Sequence, residues 1–156
     1  HGVMDSTAPP TPAGLAVARR GEAIAPFGLP QLTGEPVVVP NTFAGRPLLV
    51  NLWASWCGPC IEEMPELERF ARAQGRSGVQ VVGIALDDAD AVQEFLARVP
   101  VSYPILLDTA GPADAGVRLG NRKGVLPYSV LIDPRGRLVK QRIGPFEPGE
   151  IDAWAR

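Results

Sequence analysis

The chain has 156 residues, 46% of them apolar and 21% charged, with 15 basic against 17 acidic side chains and two cysteines. At this length one domain buries roughly 70% of the surface its unfolded form exposes, enough for a core without disulfide staples or a structural metal. A net charge of -2 with no basic block gives no electrostatic footprint for nucleic acid or an anionic membrane, and no apolar run reaches the roughly 18 to 20 residues of a transmembrane helix.

Residues 1–22 hold the Pro-rich stretch Ala8-Pro9-Pro10-Thr11-Pro12-Ala13-Gly14 and little periodic apolar content, and read as a flexible tether. No charged-then-apolar signal segment opens the chain, so any export signal or anchor is expected to have been removed. The folded domain is expected over residues 23–156. Phe27 to Leu32, a turn at Thr33-Gly34-Glu35-Pro36 and Val37 to Val39 predict a hairpin at the domain edge. Leu48-Leu49-Val50-Asn51-Leu52-Trp53 has the nearly continuous apolar character of a strand buried on both faces of a mostly parallel sheet. A helix follows from Cys57, with Ile61, Met64, Leu67, Phe70 and Ala71 on its inner face, Gln74-Gly75 closing it and Pro65 expected to kink it. Val79 to Leu86 predicts a second strand, Asp88 to Arg98 a second helix, Tyr103 to Leu107 a third strand and Pro112 to Leu119 a further helical segment. The closing part predicts an antiparallel hairpin, Ser129–Ile132 and Arg137–Arg142 across Asp133-Pro134-Arg135-Gly136, then a helix starting near Pro148. Strand, helix, strand, helix, hairpin and helix is an α/β order.

The two cysteines form Cys57-Gly58-Pro59-Cys60 at the carboxyl end of the predicted first buried strand. That is where open α/β sheets place their reactive groups. Two thiols cannot complete a four-ligand zinc site, and the single histidine is His1 at the chain end, so no metal site is expected. A bridge across so short a loop adds little stability. Redox chemistry is the better use for the pair. A cysteine at a helix start faces unpaired N–H groups and the positive end of the dipole, which favours the thiolate at Cys57. Cys60, one turn further in and better buried, is suited to resolve a mixed disulfide.

Trp56-Cys57-Gly58-Pro59-Cys60 after a buried strand, with Pro65 five residues beyond, resembles the thioredoxin superfamily. The Phe27-to-Val39 hairpin, Asn51-Leu52-Trp53-Ala54-Ser55-Trp56, Cys60-Ile61-Glu62-Glu63-Met64-Pro65 and Leu126-Pro127-Tyr128-Ser129-Val130-Leu131-Ile132-Asp133 are similar to its extracytoplasmic TlpA/ResA/CcmG-like branch. The resemblance covers about residues 22 to 156. It implies a thioredoxin-like α/β fold: a central mixed sheet flanked by helices, an N-terminal β-hairpin and a central strand-helix insertion, the last matching the long stretch from Leu86 to Pro127. It makes Pro127 the family's cis-proline and Leu126 a substrate contact, with Trp56, Gly58 and Pro59 completing the expected contact set. It makes Glu63 the acid that exchanges protons with Cys60, where helical spacing alone allows an ordinary solvated acid, as expected for Glu62. Cytoplasmic thioredoxins carry an aspartate where this chain has Asn51; an amide cannot take a proton in that way, which leaves the task to Glu63.

The activity implied is dithiol-disulfide exchange, with the Cys57-Cys60 disulfide as the redox group and no other cofactor. The partners implied are protein disulfides, such as those of apocytochrome c or of oxidase copper-site assembly, and a membrane electron donor of the DsbD or CcdA kind. The expected place is periplasmic or otherwise extracytoplasmic, and the expected form a monomer without nucleic acid. A DsbA-like oxidase stays open as an alternative, since direction depends on potential. A peroxiredoxin-type peroxidase fits less well because Val50 and Ala54 stand where its approach motif would need other residues. A Sco-like copper chaperone lacks its cysteine spacing and internal histidine. Trp53 reads as core, and Asp87, Asp88 and Asp90 as the acidic start of a helix. Arg118, Arg122 and Lys123 read first as solvated loop charges and second as a positive rim that helps hold a thiolate or chooses an acidic partner.

Overall fold

The computed structural model describes residues 11–156. Its central sheet has five strands in the order β5-β4-β3-β6-β7: β3 (Leu48–Trp53), β4 (Gln80–Leu86), β5 (Ile105–Asp108), β6 (Tyr128–Ile132) and β7 (Leu138–Ile143). β3, β4 and β5 run parallel, while β6 and β7 are antiparallel to their neighbours. β1 (Phe27–Leu29) and β2 (Val37–Val39) form the separate antiparallel hairpin.

All six residues of β3 are buried, as its unbroken apolar run requires. Because side chains alternate along a strand, Leu48, Val50 and Leu52 enter one core with the hairpin residues Phe27, Leu29, Val37 and Val39. Leu49 and Trp53 enter the other, with Met64, Leu67 and Phe70 of α1 (Gly58–Ala73), Val92 and Phe95 of α2 (Ala89–Arg98) and Ile151 of α4 (Glu150–Trp154). The same alternation turns Asn51 toward α1. The insertion between β4 and β6 consists of α2, β5 and α3 (Ala115–Arg118).

Several boundaries shift for local reasons. α1 runs through Pro65 as a single helix. α3 starts at Ala115 rather than at Pro112, because the Asp114 carboxylate accepts the Val117 N–H at 2.9 Å and caps the helix there. α4 begins at Glu150 after Gly149, whose φ of 82° breaks the helical path from Pro148.

The stretch expected to end a tether at residue 22 is docked on the domain from Ala18 onward. Ala18 N donates to Arg118 O at 2.9 Å, Gly21 N to Leu138 O at 2.8 Å, Leu138 N to Glu22 O at 3.0 Å and Ile24 N to Gly136 O at 2.9 Å. Ala18 and Ile24 are buried. The attachment is mostly main chain to main chain, so it leaves no apolar period in the sequence. Before Ala18, Leu15 N donates to Pro12 O at 3.2 Å in a turn, and residues 1–10, including His1 and Ala8 to Pro10, lie outside the described residues.

Candidate functional site

Cys57 is the N-cap of α1, in an extended conformation, and its sulfur accepts the Cys60 N–H at 3.3 Å. The local sequence dictates this. β3 delivers the chain to Ala54, a turn closes with Cys57 N donating to Ala54 O at 3.1 Å, and Pro59 sits in the first turn of the helix, where its missing N–H costs nothing. Cys57 and Cys60 form a disulfide with Cα atoms 5.3 Å apart. Cys57 keeps 6% exposure and Cys60 none, the asymmetry expected of an attacking and a resolving sulfur. Gly58 and Pro59 are exposed beside them, and Trp56 projects at 71% exposure.

Antiparallel pairing of Leu52 with Tyr128 sets the start of β6 beside the end of β3. Pro127 therefore arrives next to the cysteine-bearing turn, and its bond to Leu126 is cis. Leu126 packs against the buried cluster that contains both cysteines. Trp56 and Leu126 line a common cleft of about 330 Å³ with Leu86, Pro112, Arg122 and Gly124.

Glu63 is one turn beyond Cys60 on α1 and only 3% exposed, whereas Glu62 faces solvent. Its Oε1 accepts the Asn51 side-chain N–H at 2.8 Å, and its Oε2 accepts the Phe146 backbone N–H at 2.9 Å. Burial pushes the Glu63 carboxyl above its ordinary value, against the opposing pull of Phe146 N–H, Asn51 and the Arg142 charge. Asn51 Nδ2 also donates to Ser129 Oγ at 3.1 Å, across the Asn51–Ser129 pair of the sheet, while Asn51 Oδ1 accepts nothing from the described residues. Trp53 is fully buried, against Phe95.

Two functional contacts lie outside what spacing predicts. Asp87, expected to start a helix, instead accepts both the backbone N–H at 2.8 Å and the hydroxyl of Ser55 on Oδ2, and the Asp88 N–H at 2.8 Å on Oδ1. It thereby fixes the turn that leads into Cys57. Partial burial works to raise the Asp87 carboxyl, but the Ser55 and Asp88 hydrogen bonds outweigh it and hold it below its usual value. Asp88 occupies the N-cap position of α2 without a side-chain capping hydrogen bond. The second contact is Phe146, which reaches Glu63 from 83 positions away. Of the basic side chains expected near the rim, Arg118 is turned away, stacked over the Phe27 ring and bonded to Ala113 O, whereas Arg122 and Lys123 are exposed.

The arrangement is a disulfide at a helix start with a buried acid one turn beyond its inner cysteine. The profile of the Redoxin family matches residues 19–154. The thiol-disulfide oxidoreductase ResA of Halalkalibacterium halodurans is 30% identical over 132 residues, covering 83% of this chain and 71% of that protein. The sporulation thiol-disulfide oxidoreductase A of Bacillus subtilis is 26% identical over 147 residues, covering 90% and 86%. Among solved structures, the thioredoxin-related protein of Neisseria meningitidis serogroup B superposes with a TM-score of 0.70 at 34% identity, covering 80% of this chain and 93% of that one. The chain belongs to the Redoxin family. Within that family, its relatives and its cysteine pair make it a thiol-disulfide oxidoreductase of the ResA type, acting on protein disulfides.

Proposed function

We propose that the protein is an extracytoplasmic reductant of protein disulfides, serving cytochrome c maturation or oxidase copper-site assembly. The observation that carries the exchange reading is the Cys57 sulfur at the N-cap of α1, receiving the Cys60 N–H, with Cys60 fully buried behind it. The helix start favours the Cys57 thiolate and so its attack, whereas a stabilised reduced form by itself raises the potential; the reductant direction rests on the resemblance to the TlpA/ResA/CcmG-like branch. A membrane thiol-reducing protein of the DsbD or CcdA kind would restore the dithiol, and the working form would be a monomer. The extracytoplasmic setting rests on the resemblance to that branch. Among the described residues no helix is long and apolar enough to cross a membrane. The redox group is the cysteine pair itself.

In the forward reaction the Cys57 thiolate attacks one sulfur of the substrate disulfide, and the other leaves as a thiolate and takes a proton. Cys60 then loses its proton and attacks the Cys57 sulfur, breaking the mixed disulfide and releasing the second substrate thiol. The dithiol gives up two electrons and two protons, and the substrate disulfide gains them. Glu63 takes the Cys60 proton during resolution, a role its raised pKa suits. Asn51 can serve both states of that acid. Its Nδ2 donates to the carboxylate as observed, and rotating the amide would present the unpartnered Oδ1 to a protonated Glu63 and to the Ser129 hydroxyl.

Insulin reduction with single-cysteine variants tests the mechanism. Cys57→Ala is expected to abolish it, and Cys60→Ala to accumulate a mixed disulfide through Cys57. Full activity in Cys57→Ala would overturn the mechanism.

A further inference from the structure

The cleft beside the disulfide is mostly apolar, flanked by exposed Trp56 and by Val125 at 43% exposure. Among the described residues Asp114 is the only acid lining it, and both of its carboxylate oxygens are occupied by backbone, Oδ1 by Val117 N–H and Oδ2 by Gly111 N–H. Arg122, on its wall, also lines a second cleft of about 440 Å³, together with Arg19 and Arg20 and, among the described residues, with no carboxylate. All three arginines are exposed, and none forms an ion pair among the described residues. Lys123 adds a further exposed cation beside Arg122. In a chain of net charge -2 this is a local reversal of sign that begins at the rim of the redox site.

We propose that the two clefts form one substrate track, in which an apolar residue next to the substrate cysteine lies between Trp56 and Leu126, and an acidic stretch of the same polypeptide continues over Arg122 onto Arg19 and Arg20. The proposal rests on the oxidoreductase reading and names the substrate class: a disulfide flanked by apolar and then acidic residues. Charge complementarity sets the choice, because an acidic segment is repelled by the rest of this acidic molecule and attracted here.

Matched disulfide peptides that differ only in Glu or Gln at positions two to five from the cysteine, on either side, provide the test. The Glu peptides are expected to show kcat/KM roughly three- to tenfold higher at low salt, as for a few exposed ion pairs, with the advantage fading at high ionic strength. Arg122→Gln and the double change Arg19→Gln with Arg20→Gln should each reduce that advantage. Turnover of the neutral substrate hydroxyethyl disulfide should be unchanged in both, which also reports that they fold. Binding of the reduced peptides to Cys57→Ser, followed by Trp fluorescence, separates the acidic track from the chemistry. A Glu preference in binding without any turnover would remove the redox reading and leave the track standing. Turnover with equal rates for Glu and Gln peptides would overturn the track. So would an advantage that survives all three Arg→Gln changes. Sedimentation of the protein with phosphatidylglycerol vesicles, with no discrimination between peptides, would assign the cations to a membrane surface and equally overturn it.

Discussion

A charged Glu63 is opposed by burial and supported by Asn51, the Phe146 N–H and Arg142, with burial the stronger influence. The folded protein therefore binds a proton at this position more tightly than the unfolded chain does. The stability linked to Glu63 is fully present below the ordinary glutamate value of about 4.3 and is lost as pH rises through the raised folded value. Urea denaturation of the oxidised protein across pH should show this decline, and Glu63→Gln should flatten it. An unchanged pH profile in Glu63→Gln would show that another group carries the linkage. The same substitution should slow resolution of the mixed disulfide by about 10²-fold, measured by single-turnover quenching, while the first attack by Cys57 keeps its rate. The cysteines and their order of burial are readable from the spacing and from where the buried strand ends, whereas Glu63 stands out only through the family resemblance, since helical spacing alone allows a solvated acid there. The partners of Glu63 are not readable in either way: Asn51 and Phe146 come from β3 and from the chain after β7, and only the folded sheet joins them.

At the scale of elements, the site depends on how closely β3 and β4 approach at their carboxyl ends. Register pairs Trp53 with Ala85, so the residues that follow, Ser55 and Asp87, meet and tie the cysteine turn to the end of β4. Asp87 stands among acids that look like an ordinary helix start, which hides its partner 32 positions away. Gly83 matters for the same reason. A Cβ there would lie 3.0 Å from Ile105 Cδ1, 3.1 Å from Trp53 Nε1 and 3.2 Å from Tyr103 Cε1, all buried side chains that have little room to move. Gly83→Ala is expected to destabilise by about 1 to 3 kcal/mol through overpacking, read as a lower urea midpoint at constant slope; an unchanged midpoint would mean that this layer yields. The apolar run of β3 and the period of α1 made both elements legible in advance. The exact start of α3 was not, because it is set by the Asp114 side chain rather than by apolar spacing.

For the whole molecule, residues 21–24 run along β7, the outer strand of the five-stranded sheet, and cover part of its edge. Removing the chain through Ile24 deletes the main-chain hydrogen bonds to Arg118, Gly136 and Leu138 and exposes apolar surface under Ile24 and Ala18. The expected loss is about 3 to 5 kcal/mol, seen as a lower thermal midpoint. An unchanged midpoint would show that this stretch only rests on the domain. Proline content and the lack of an apolar period made the segment look detachable, since backbone pairing needs no particular side chains.

The central claim is that Cys57 and Cys60 act together as an electron-donating pair. Its most direct measurement is the reduction potential, obtained by equilibrating the protein against glutathione and dithiothreitol buffers and reading the fluorescence of Trp56 beside the pair. A single two-electron transition below about -220 mV, toward the thioredoxin end of the scale, is the predicted result, and a midpoint near -120 mV, the DsbA end, would contradict it.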